Sequence, residues 1–355
     1  MLSIILPVGI SFYTLQALSY TIDLYKRETS PAKNILSFFA FTSFFPQLLA
    51  GPIEKSSHLL NQFESNKIFN YTFCVTGLRL ILWGLFKKIV IADNFGVLAD
   101  HIFNSESSVP GISIIIGSIF FAFQIYGDFS GYSDIAIGLS RMLGFDLIKN
   151  FQTPYFANSF TDFWRRWHIS LSIWFRDYVY IPLGGNKKST FRVYFNIFLT
   201  FLLSGLWHGA NITFLIWGSL HGISLIIEKI FKQENKRNLH TLVFLILVIL
   251  FWIPFRAKNY SHLTIMVNSI IDLKSYTFYH LNSTIQSFSI IRFTSLIIIT
   301  ISFLYIEKSI NIDDFNEWIQ CKRTWVRFSI YYILILTILA IGNFTVKPTF
   351  IYFQF

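Results

Sequence analysis

The histidine most able to do chemistry in this chain lies inside a long uncharged run. His208 belongs to residues 207–211, Trp-His-Gly-Ala-Asn, within a run from 193 to 227 that has no formally charged side chain. An imidazole exchanges protons near neutral pH, so it is a candidate general base. Ionisable side chains are costly in hydrocarbon and persist where they line a cavity or a reaction path. The alternative is a core histidine that hydrogen-bonds a broken helix.

The length of this run predicts how His208 is positioned. The run has 35 residues, whereas one bilayer crossing needs about 20 apolar residues. As a helix, residues 193–207 would rise only ~22 Å against a hydrocarbon core of ~30 Å. Gly205, Gly209 and Asn211 are the expected helix breakers. The sequence therefore predicts two helices joined by a turn within the membrane, with His208 beside non-helical backbone.

A second candidate, His168, lies in an aromatic and basic stretch. Residues 163–182 carry aromatic and aliphatic side chains at near-helical spacing, interrupted by charged residues such as Arg165 and Arg166. This pattern predicts an interfacial or shallowly re-entrant helix on the cytoplasmic side. His168 would then face a region open to the cytosol, and His208 would lie deeper in the same tunnel. The alternative is an interfacial histidine among tryptophans and arginines.

Two carboxylates and a third histidine have mainly structural interpretations. Asp128 and Asp134 lie in or near the membrane, where pairing with Arg141 or with an interfacial arginine is the favoured interpretation. His221 follows His208 by 13 residues, or about 220° around a helix. It should therefore point away from His208 and be structural.

Composition indicates a membrane protein along the whole chain. Hydrophobic residues make up 53% and charged residues 14%, more apolar surface than a soluble domain of this size could bury. The expected fold class is all-α and polytopic, with roughly nine or ten membrane segments. The predicted segments are 1–22, 34–53, 68–99, 107–127, 129–148, 193–207, 211–227, 238–255, 285–306 and 328–346.

The net charge of +10 resides largely in short basic loops, which is the positive-inside pattern of membrane proteins rather than a sign of nucleic-acid binding. Residues 229–237 hold the densest cluster, so this loop is placed in the cytoplasm. Residues 256–284 are then expected to form an outer loop, and residues 350–355 lie outside. The loops suit an anionic, phosphate-bearing substrate, and lipid headgroups explain them equally well. Cys74 and Cys321 have no metal or redox spacing, and no nucleotide or zinc motif is present, so we expect no metal and no bound cofactor.

Four motifs, in this order, resemble the membrane-bound O-acyltransferase family. They are residues 45–53 (Phe-Pro-Gln-Leu-Leu-Ala-Gly-Pro-Ile), 126–134 (Tyr-Gly-Asp-Phe-Ser-Gly-Tyr-Ser-Asp), 163–168 (Phe-Trp-Arg-Arg-Trp-His) and 205–210 (Gly-Leu-Trp-His-Gly-Ala). The most similar branch is the bacterial alginate O-acetylase type, which includes peptidoglycan O-acetylation proteins. The resemblance covers 1–355 as one domain. Relatives usually carry further helices before the part that resembles residues 6–13, so we expect such helices to be missing here.

The resemblance implies a helical bundle with re-entrant or interfacial helices around a central tunnel, in a bacterial inner membrane. It matches His208 to the near-invariant histidine of the family and His168 to its second polar position. The residues expected to line or support the tunnel are Trp207, Asn211, Asp128, Asp134, Arg165 and Arg166.

The resemblance also implies a reaction. An acyl group, most simply acetyl from acetyl-CoA, would pass from the cytosol toward an extracytoplasmic polysaccharide hydroxyl. A periplasmic SGNH-type acetyltransferase is the expected partner. Histidine, with an ordinary pKa of about 6.5, suits the removal of a hydroxyl proton. The rival interpretation is a transporter or flippase of an envelope precursor, in which the histidines bind substrate without chemistry.

The C-terminus offers one further nucleophile. Residues 350–355 contain a single hydroxyl, that of Tyr352. Near the outer mouth of a tunnel, this phenol could accept the acyl group as a transient ester and pass it on. The alternative is that Tyr352 simply belongs to the aromatic belt at the membrane surface.

Overall fold

The structure, a computed structural model, describes residues 9–105, 109–231, 238–286, 290–310 and 315–344. Throughout these ranges the regular structure is helical, with no β-strand. The first eight helices are α1 (Ile10–Tyr25), α2 (Ile35–Thr42), α3 (Ser56–Phe63), α4 (Tyr71–Leu85), α5 (Asp93–Phe103), α6 (Gly111–Met142), α7 (Phe160–Trp164) and α8 (Ile169–Phe175).

The remaining helices follow in the same chain order. They are α9 (Thr190–His208), α10 (Ile212–Ile230), α11 (Asn238–Arg256), α12 (Tyr260–Ile271), α13 (Phe278–Gln286), α14 (Ile290–Ile310), α15 (Phe315–Gln320) and α16 (Thr324–Ile341). The π-helical and 3-10 segments are Phe86–Ala92, Arg176–Tyr180, Pro154–Phe156 and Leu273–Ser275.

Several of these helices are suited to a bilayer. Within the described ranges α6, α9, α10 and α16 are long and apolar enough to cross a membrane, and α11 contains a shorter apolar helix, His240–Arg256. The predicted all-α polytopic class is confirmed. The total of nine or ten segments stays a prediction.

Glycines allow α4 and α6 to pack backbone to backbone. Gly77 faces Gly138, and two turns away Gly84 faces Gly131, so the helices run antiparallel. A Cβ at Gly138 would lie 2.5 Å from the carbonyl oxygen of Gly77, and one at Gly131 would lie 2.7 Å from that of Gly84. Small residues at helix crossings are the usual device for close association in membranes.

This packing corrects one sequence prediction. Separate segments were predicted at 107–127 and 129–148, whereas α6 continues without a break across Asp128. Gly127 and Gly131 do not end a helix here. They leave room for the π-helical segment beside α6, since a Cβ at Gly127 would lie 2.9 Å from the carbonyl oxygen of Lys87.

Three other predictions differ from the structure. In the apolar run 34–53, helix α2 spans only eight residues, so the run does not form a membrane-spanning helix. The single helix predicted over 163–182 is broken into α7, α8 and a π-helical segment. The segment 256–284, predicted to be an outer loop, contains α12 and part of α13.

Helices α9 and α10 form a tight antiparallel hairpin. Gly205 of α9 packs on the backbone of Phe214, and Gly218 of α10 packs on the backbone of Phe201. At the other end, Lys229 Nζ donates a hydrogen bond to Asn186 Oδ1 at 3.0 Å. We call the end with Lys229 and Asn186 the basic end of the hairpin. The opposite end carries His208.

Candidate active site

His208 is the last residue of α9, and the chain leaves the helix at Gly209. Helix α10 begins at Ile212, with Asn211 as its N-cap. The predicted break is therefore confirmed at Gly209 and Asn211. Gly205, also expected to break the helix, instead lies inside α9, where it packs on the backbone of Phe214. Asn211 has a structural role, because its Oδ1 accepts from Thr213 N–H at 3.2 Å and its Nδ2 donates to the carbonyl of Lys258 at 2.9 Å.

His168 lies at the break between α7 and α8. Its backbone is left-handed, with φ +43° and ψ +53°, a conformation that costs energy for a residue other than glycine and is concentrated at functional sites. Its side chain is enclosed by protein, with 1% of the residue exposed. Neither the predicted open cytosolic face nor the interfacial alternative agrees with this burial.

One tryptophan contacts both histidines. The Trp207 ring lies 6.1 Å from the His168 ring and 4.9 Å from the His208 ring, between centroids. The two imidazoles are also close enough to interact electrostatically. Phe12 of α1 packs against Trp207 at 5.4 Å and against His168 at 6.3 Å, closing this side of the site. Residues predicted to share one tunnel are thus neighbours.

The other side of His208 is also aromatic. Trp217 and Phe255 each place a ring 5.1 Å from His208. Trp217 in turn lies 5.0 Å from His221, one ring further from His208. The angle predicted around one helix does not apply, because His208 ends α9 and His221 lies on α10.

Four buried nitrogens near the two histidines have no hydrogen-bond partner among the described protein groups. They are Nε2 of His168, Nε1 of Trp207, Nε1 of Trp217 and Nε2 of His221. Buried polar atoms are normally hydrogen-bonded, and exceptions call for a specific explanation, such as a catalytic role or a bound partner. Three of the four belong to Trp207 itself and to two rings that contact Trp207 or His208, those of His168 and Trp217. This concentration marks the region as a candidate site.

A cavity of about 410 Å³ approaches this region from the basic end. Its walls come from α7, α8, α9 and α10. The charged residues that line it are Arg165, Arg176, Glu228 and Lys229. Deeper lining residues include Leu171, three residues after His168, and Ser204, one helical turn before His208. The cavity therefore joins a mainly cationic opening to the helices that carry both histidines.

A cluster of ion pairs lies at the opening of the cavity. Asp177 Oδ2 lies 2.5 Å from Lys55 Nζ, and Asp177 Oδ1 lies 2.6 Å from Arg176 Nε. Burial raises the pKa of Asp177, but hydrogen bonds from Arg176 and Lys55 outweigh it, so the pKa lies below its ordinary value. Asp177 is therefore a carboxylate at neutral pH, and it fixes the position of Arg176.

The intramembrane carboxylates pair with lysines. Asp134 lies 2.5 Å from Lys87 Nζ, and Asp128 lies 2.7 Å from Lys88 Nζ. The predicted partners of these carboxylates, Arg141 or an interfacial arginine, are wrong. Lysines pair with the carboxylates because both lysines lie on the π-helical segment that packs beside α6. Lys88 also contacts Asp93 at 2.8 Å. This cluster ties the π-helical segment and α5 to α6, and it lies outside the ring contacts of the histidines.

Arg165 and Arg166, both predicted to line or support the tunnel, lie in different places. Arg165 lines the cavity. Arg166 instead turns back, and its Nε donates to Asp162 Oδ1 at 2.8 Å, which is a structural contact. Tyr352 lies outside the described residues.

Comparison of the sequence with known proteins identifies a family that includes the residues of this site. A sequence model of the membrane-bound O-acyltransferase family matches residues 26–237, which include both histidines and the cavity. The chain belongs to the membrane-bound O-acyltransferase family. In this family member, the matched region ends before Tyr352.

Several individual proteins are similar in sequence to this chain. A probable alginate O-acetylase AlgI of Pseudomonas putida is 45% identical over 260 residues, covering 72% of this chain and 53% of the relative. The same protein of Azotobacter vinelandii is 41% identical over 307 residues, covering 85% and 60%. A peptidoglycan O-acetyltransferase of Helicobacter pylori is 39% identical over 320 residues, covering 81% and 61%. The chain thus spans between half and three fifths of the length of these relatives.

Sequence reasoning missed Asn150, which hydrogen-bonds His168, and Glu307, which accepts from the Tyr126 hydroxyl at 2.5 Å. Lys87 and Lys88 interrupt the predicted apolar segment 68–99. Their position inside that segment was a usable signal, because buried lysines require carboxylate partners. Asn150 gave no such signal.

Proposed function

We propose that this family member transfers an acyl group, most simply acetyl, from a cytosolic thioester toward a hydroxyl of an extracytoplasmic polysaccharide. The observation that carries the proposal is the placement of His208 at a helix break within the bundle, sharing Trp207 with His168 above a cationic cavity. The printed names of the relatives, alginate O-acetylase and peptidoglycan O-acetyltransferase, support polysaccharide as the acceptor class. The membrane would be the bacterial inner membrane.

The cavity supports a phosphate-bearing donor. Its volume of about 410 Å³ falls within the ~300–1,000 Å³ of ligand pockets. Arg165, Arg176 and Lys229 supply cations at the opening, and guanidinium groups suit phosphate oxygens. The positive-inside pattern puts this end in the cytosol. Acetyl-CoA fits these requirements, with its nucleotide phosphates at the opening and its thioester near Ser204.

The proposed chemistry uses His208 as the base. Its imidazole takes the hydroxyl proton while the oxygen attacks the thioester carbonyl, so that an ester C–O bond forms and the C–S bond breaks. The imidazolium then returns the proton to the leaving thiolate, which departs as a thiol. The indole N–H groups of Trp207 and Trp217 lie beside His208 and are donors of the kind that stabilise a developing oxyanion.

A periplasmic SGNH-type acetyltransferase would receive the acyl group and complete its delivery to the polysaccharide. Tyr352, outside the described residues, would act as the relay. Replacing it with phenylalanine keeps the ring and removes the nucleophile. Unchanged polysaccharide acylation by Tyr352→Phe, with no acyl-tyrosine by mass spectrometry in the wild-type protein, would reject the relay and leave the aromatic-belt interpretation.

The test of the function compares two histidines in the whole protein. His208→Ala should reduce transfer of labelled acetyl groups from acetyl-CoA to polysaccharide by about 10²–10⁴-fold, the usual cost of losing a positioned base, at normal membrane abundance. His280→Ala is the matched control, because His280 is a half-buried residue of α13 outside the cavity lining. Its activity should equal that of the wild type. Full transfer by His208→Ala would refute the proposal, and substrate movement without ester formation would favour the transporter interpretation.

His168 has a separate expected effect. Since it lies beside both Trp207 and α8 of the cavity wall, His168→Ala should impair turnover and donor affinity. Full turnover with unchanged donor affinity in this variant would remove His168 from the proposed site and leave His208 as its only histidine.

A further inference from the structure

Asn150 is a buried residue of the connection between α6 and α7, with 1% of its surface exposed. Its side-chain oxygen accepts hydrogen bonds from Ser170 N–H at 3.2 Å and from Ser170 Oγ at 2.9 Å. The same oxygen lies 3.2 Å from His168 Nδ1. Its side-chain nitrogen lies 3.4 Å from Ser133 Oγ of α6. The amide thus connects α6, α8 and the proposed second histidine.

The orientation of this amide is determined by a backbone group. A backbone N–H can only donate, so the atom of Asn150 that faces Ser170 N–H must be the oxygen. A flipped amide would bring its NH₂ group against that N–H and lose the bond. The Ser133 hydroxyl, which can accept, faces the other end of the amide and agrees with this orientation.

The orientation of Asn150 in turn determines the tautomer of His168. Because Asn150 Oδ1 is an acceptor, His168 Nδ1 must carry the hydrogen in the neutral imidazole. Nε2 then has the free lone pair. That nitrogen is buried and has no partner among the described protein groups, so it is available to accept a hydrogen bond from a bound molecule.

The backbone of Asn150 also holds the turn that carries His168. Its carbonyl accepts from Ile169 N–H at 2.9 Å, and two residues later Gln152 N–H donates to the carbonyl of Arg166 at 2.9 Å. These bonds flank His168 on both sides and support its left-handed backbone. Position and tautomer of the imidazole are therefore set by one short segment.

We propose that Asn150 is a positioning residue, which fixes His168 as the Nδ1–H tautomer and so presents Nε2 as an acceptor to an O–H or N–H of the bound substrate. The proposal rests on the proposed function, because it assumes that His168 belongs to the acyl-transfer site. It assigns Asn150 no contact with the reacting atoms.

The first experiment measures the tautomer of His168 by NMR and does not depend on activity. The full-length protein is labelled with ¹⁵N-histidine in detergent, and the His168 signals are identified by their loss in His168→Gln. The wild type should show a protonated Nδ1 and a bare Nε2. In Asn150→Leu, which has similar volume but no acceptor, the two tautomers should be mixed. A protonated Nε2 in the wild type would overturn the proposal, even if the leucine variant does not fold.

The second experiment uses the pH profile of acyl transfer. Asn150→Asp keeps an oxygen acceptor but adds a negative charge, which favours the protonated imidazolium of His168. The acidic limb of kcat/KM should therefore move to higher pH by about one unit, equivalent to tenfold in proton affinity. The groups facing His168 from α1, α6 and α9 include Phe12, Phe129 and Trp207, and His208 is a titratable group that interacts with it.

Ser133→Ala is the matched control for packing around Asn150. It removes the partner of the side-chain nitrogen and leaves the oxygen contacts intact, so its profile should coincide with that of the wild type. An Asn150→Asp profile that also coincides with the wild type would reject the positioning role. If instead His208→Ala retains full transfer, the proposed function fails, while the NMR result still decides the tautomer.

Discussion

The indole N–H of Trp164 donates a hydrogen bond to Nδ1 of His221 at 3.3 Å, between two buried side chains. Trp164 also lines the cavity and lies 5.8 Å from Trp217, which contacts His208. His221 therefore holds the wall between the cavity and the proposed base. It supports the site without belonging to it.

This relationship predicts different outcomes for the two histidines of the hairpin. His221→Phe keeps a ring but removes the acceptor, leaving the Trp164 N–H unsatisfied at a cost of about 1–3 kcal/mol. We expect a lower thermal midpoint in detergent, with activity per folded molecule within a few-fold of the wild type. His221→Gln is the control, because its amide oxygen can accept from Trp164. Loss of activity without loss of stability in His221→Phe would contradict this assignment.

The cavity opening predicts a charge-dependent donor affinity. Arg165→Glu reverses one exposed charge at the opening, and the KM for acetyl-CoA should rise about three- to tenfold, or ~0.7–1.4 kcal/mol. The increase should shrink in high salt, because exposed charges are screened. Arg192→Glu is the matched control, since Arg192 is an exposed residue near the same end but outside the cavity lining. Equal effects of both variants would mean that overall surface charge, not the cavity, attracts the donor.

The hairpin contact predicts a strong effect of a single methyl group. Gly218→Ala would place a Cβ against the carbonyl oxygen of Phe201, which is backbone and cannot rotate away. We expect a loss of about 1–3 kcal/mol, the usual cost of overpacking, seen as a lower melting temperature in detergent. Gly222→Ala should cost less, because its Cβ would meet the Phe201 Cβ at 3.2 Å. A Gly218→Ala protein as stable as the wild type would mean that the helices can separate at no cost.

A pH dependence of stability is expected at α3. His58 Nδ1 lies 2.7 Å from Glu54 Oε2. This hydrogen bond raises the pKa of His58 and, with the negative charges of Glu54 and Asp146, outweighs the lowering by burial. Because the folded pKa is raised, the stabilisation is complete below the unfolded pKa of about 6.5 and is lost as the pH rises through the folded pKa.

The measurement for this prediction is the difference in melting temperature between the wild type and His58→Gln across pH. The wild type should be more stable at about pH 5, and its advantage should disappear as the pH rises through the folded pKa of His58. A difference that grows with rising pH would contradict the sign of the shift.

Local signals predicted the position of His208 correctly. The length of the uncharged run and the breakers Gly209 and Asn211 predicted a break in the helix, and α9 ends at His208. These signals depend on neighbours in sequence and need no knowledge of tertiary contacts. The family motifs added His168, which lies 40 residues earlier and meets His208 through Trp207.

What sequence reasoning missed depends on contacts between distant residues. A glycine inside an apolar segment indicates a break when read alone, yet Gly131 packs against Gly84 of another helix. In the sequence Asn150 looks like an ordinary loop residue. Its contacts with Ser170 and His168 are formed only in the folded protein. The lysine pairs likewise depend on the π-helical segment, a backbone irregularity that periodicity does not predict.

The glycine contacts of the hairpin determine the axial position of His208 relative to α10. A slip of α9 by one residue along α10 would move His208 by ~1.5 Å and rotate it by ~100°, and it would bring Ser204 or Leu206 to the place where Gly205 meets Phe214. Neither side chain fits against that backbone. Gly205, less than one turn from the histidine, therefore acts as a stop against axial sliding. Substrates that reach His208 from opposite faces of the membrane would meet at a level fixed by a residue with no side chain.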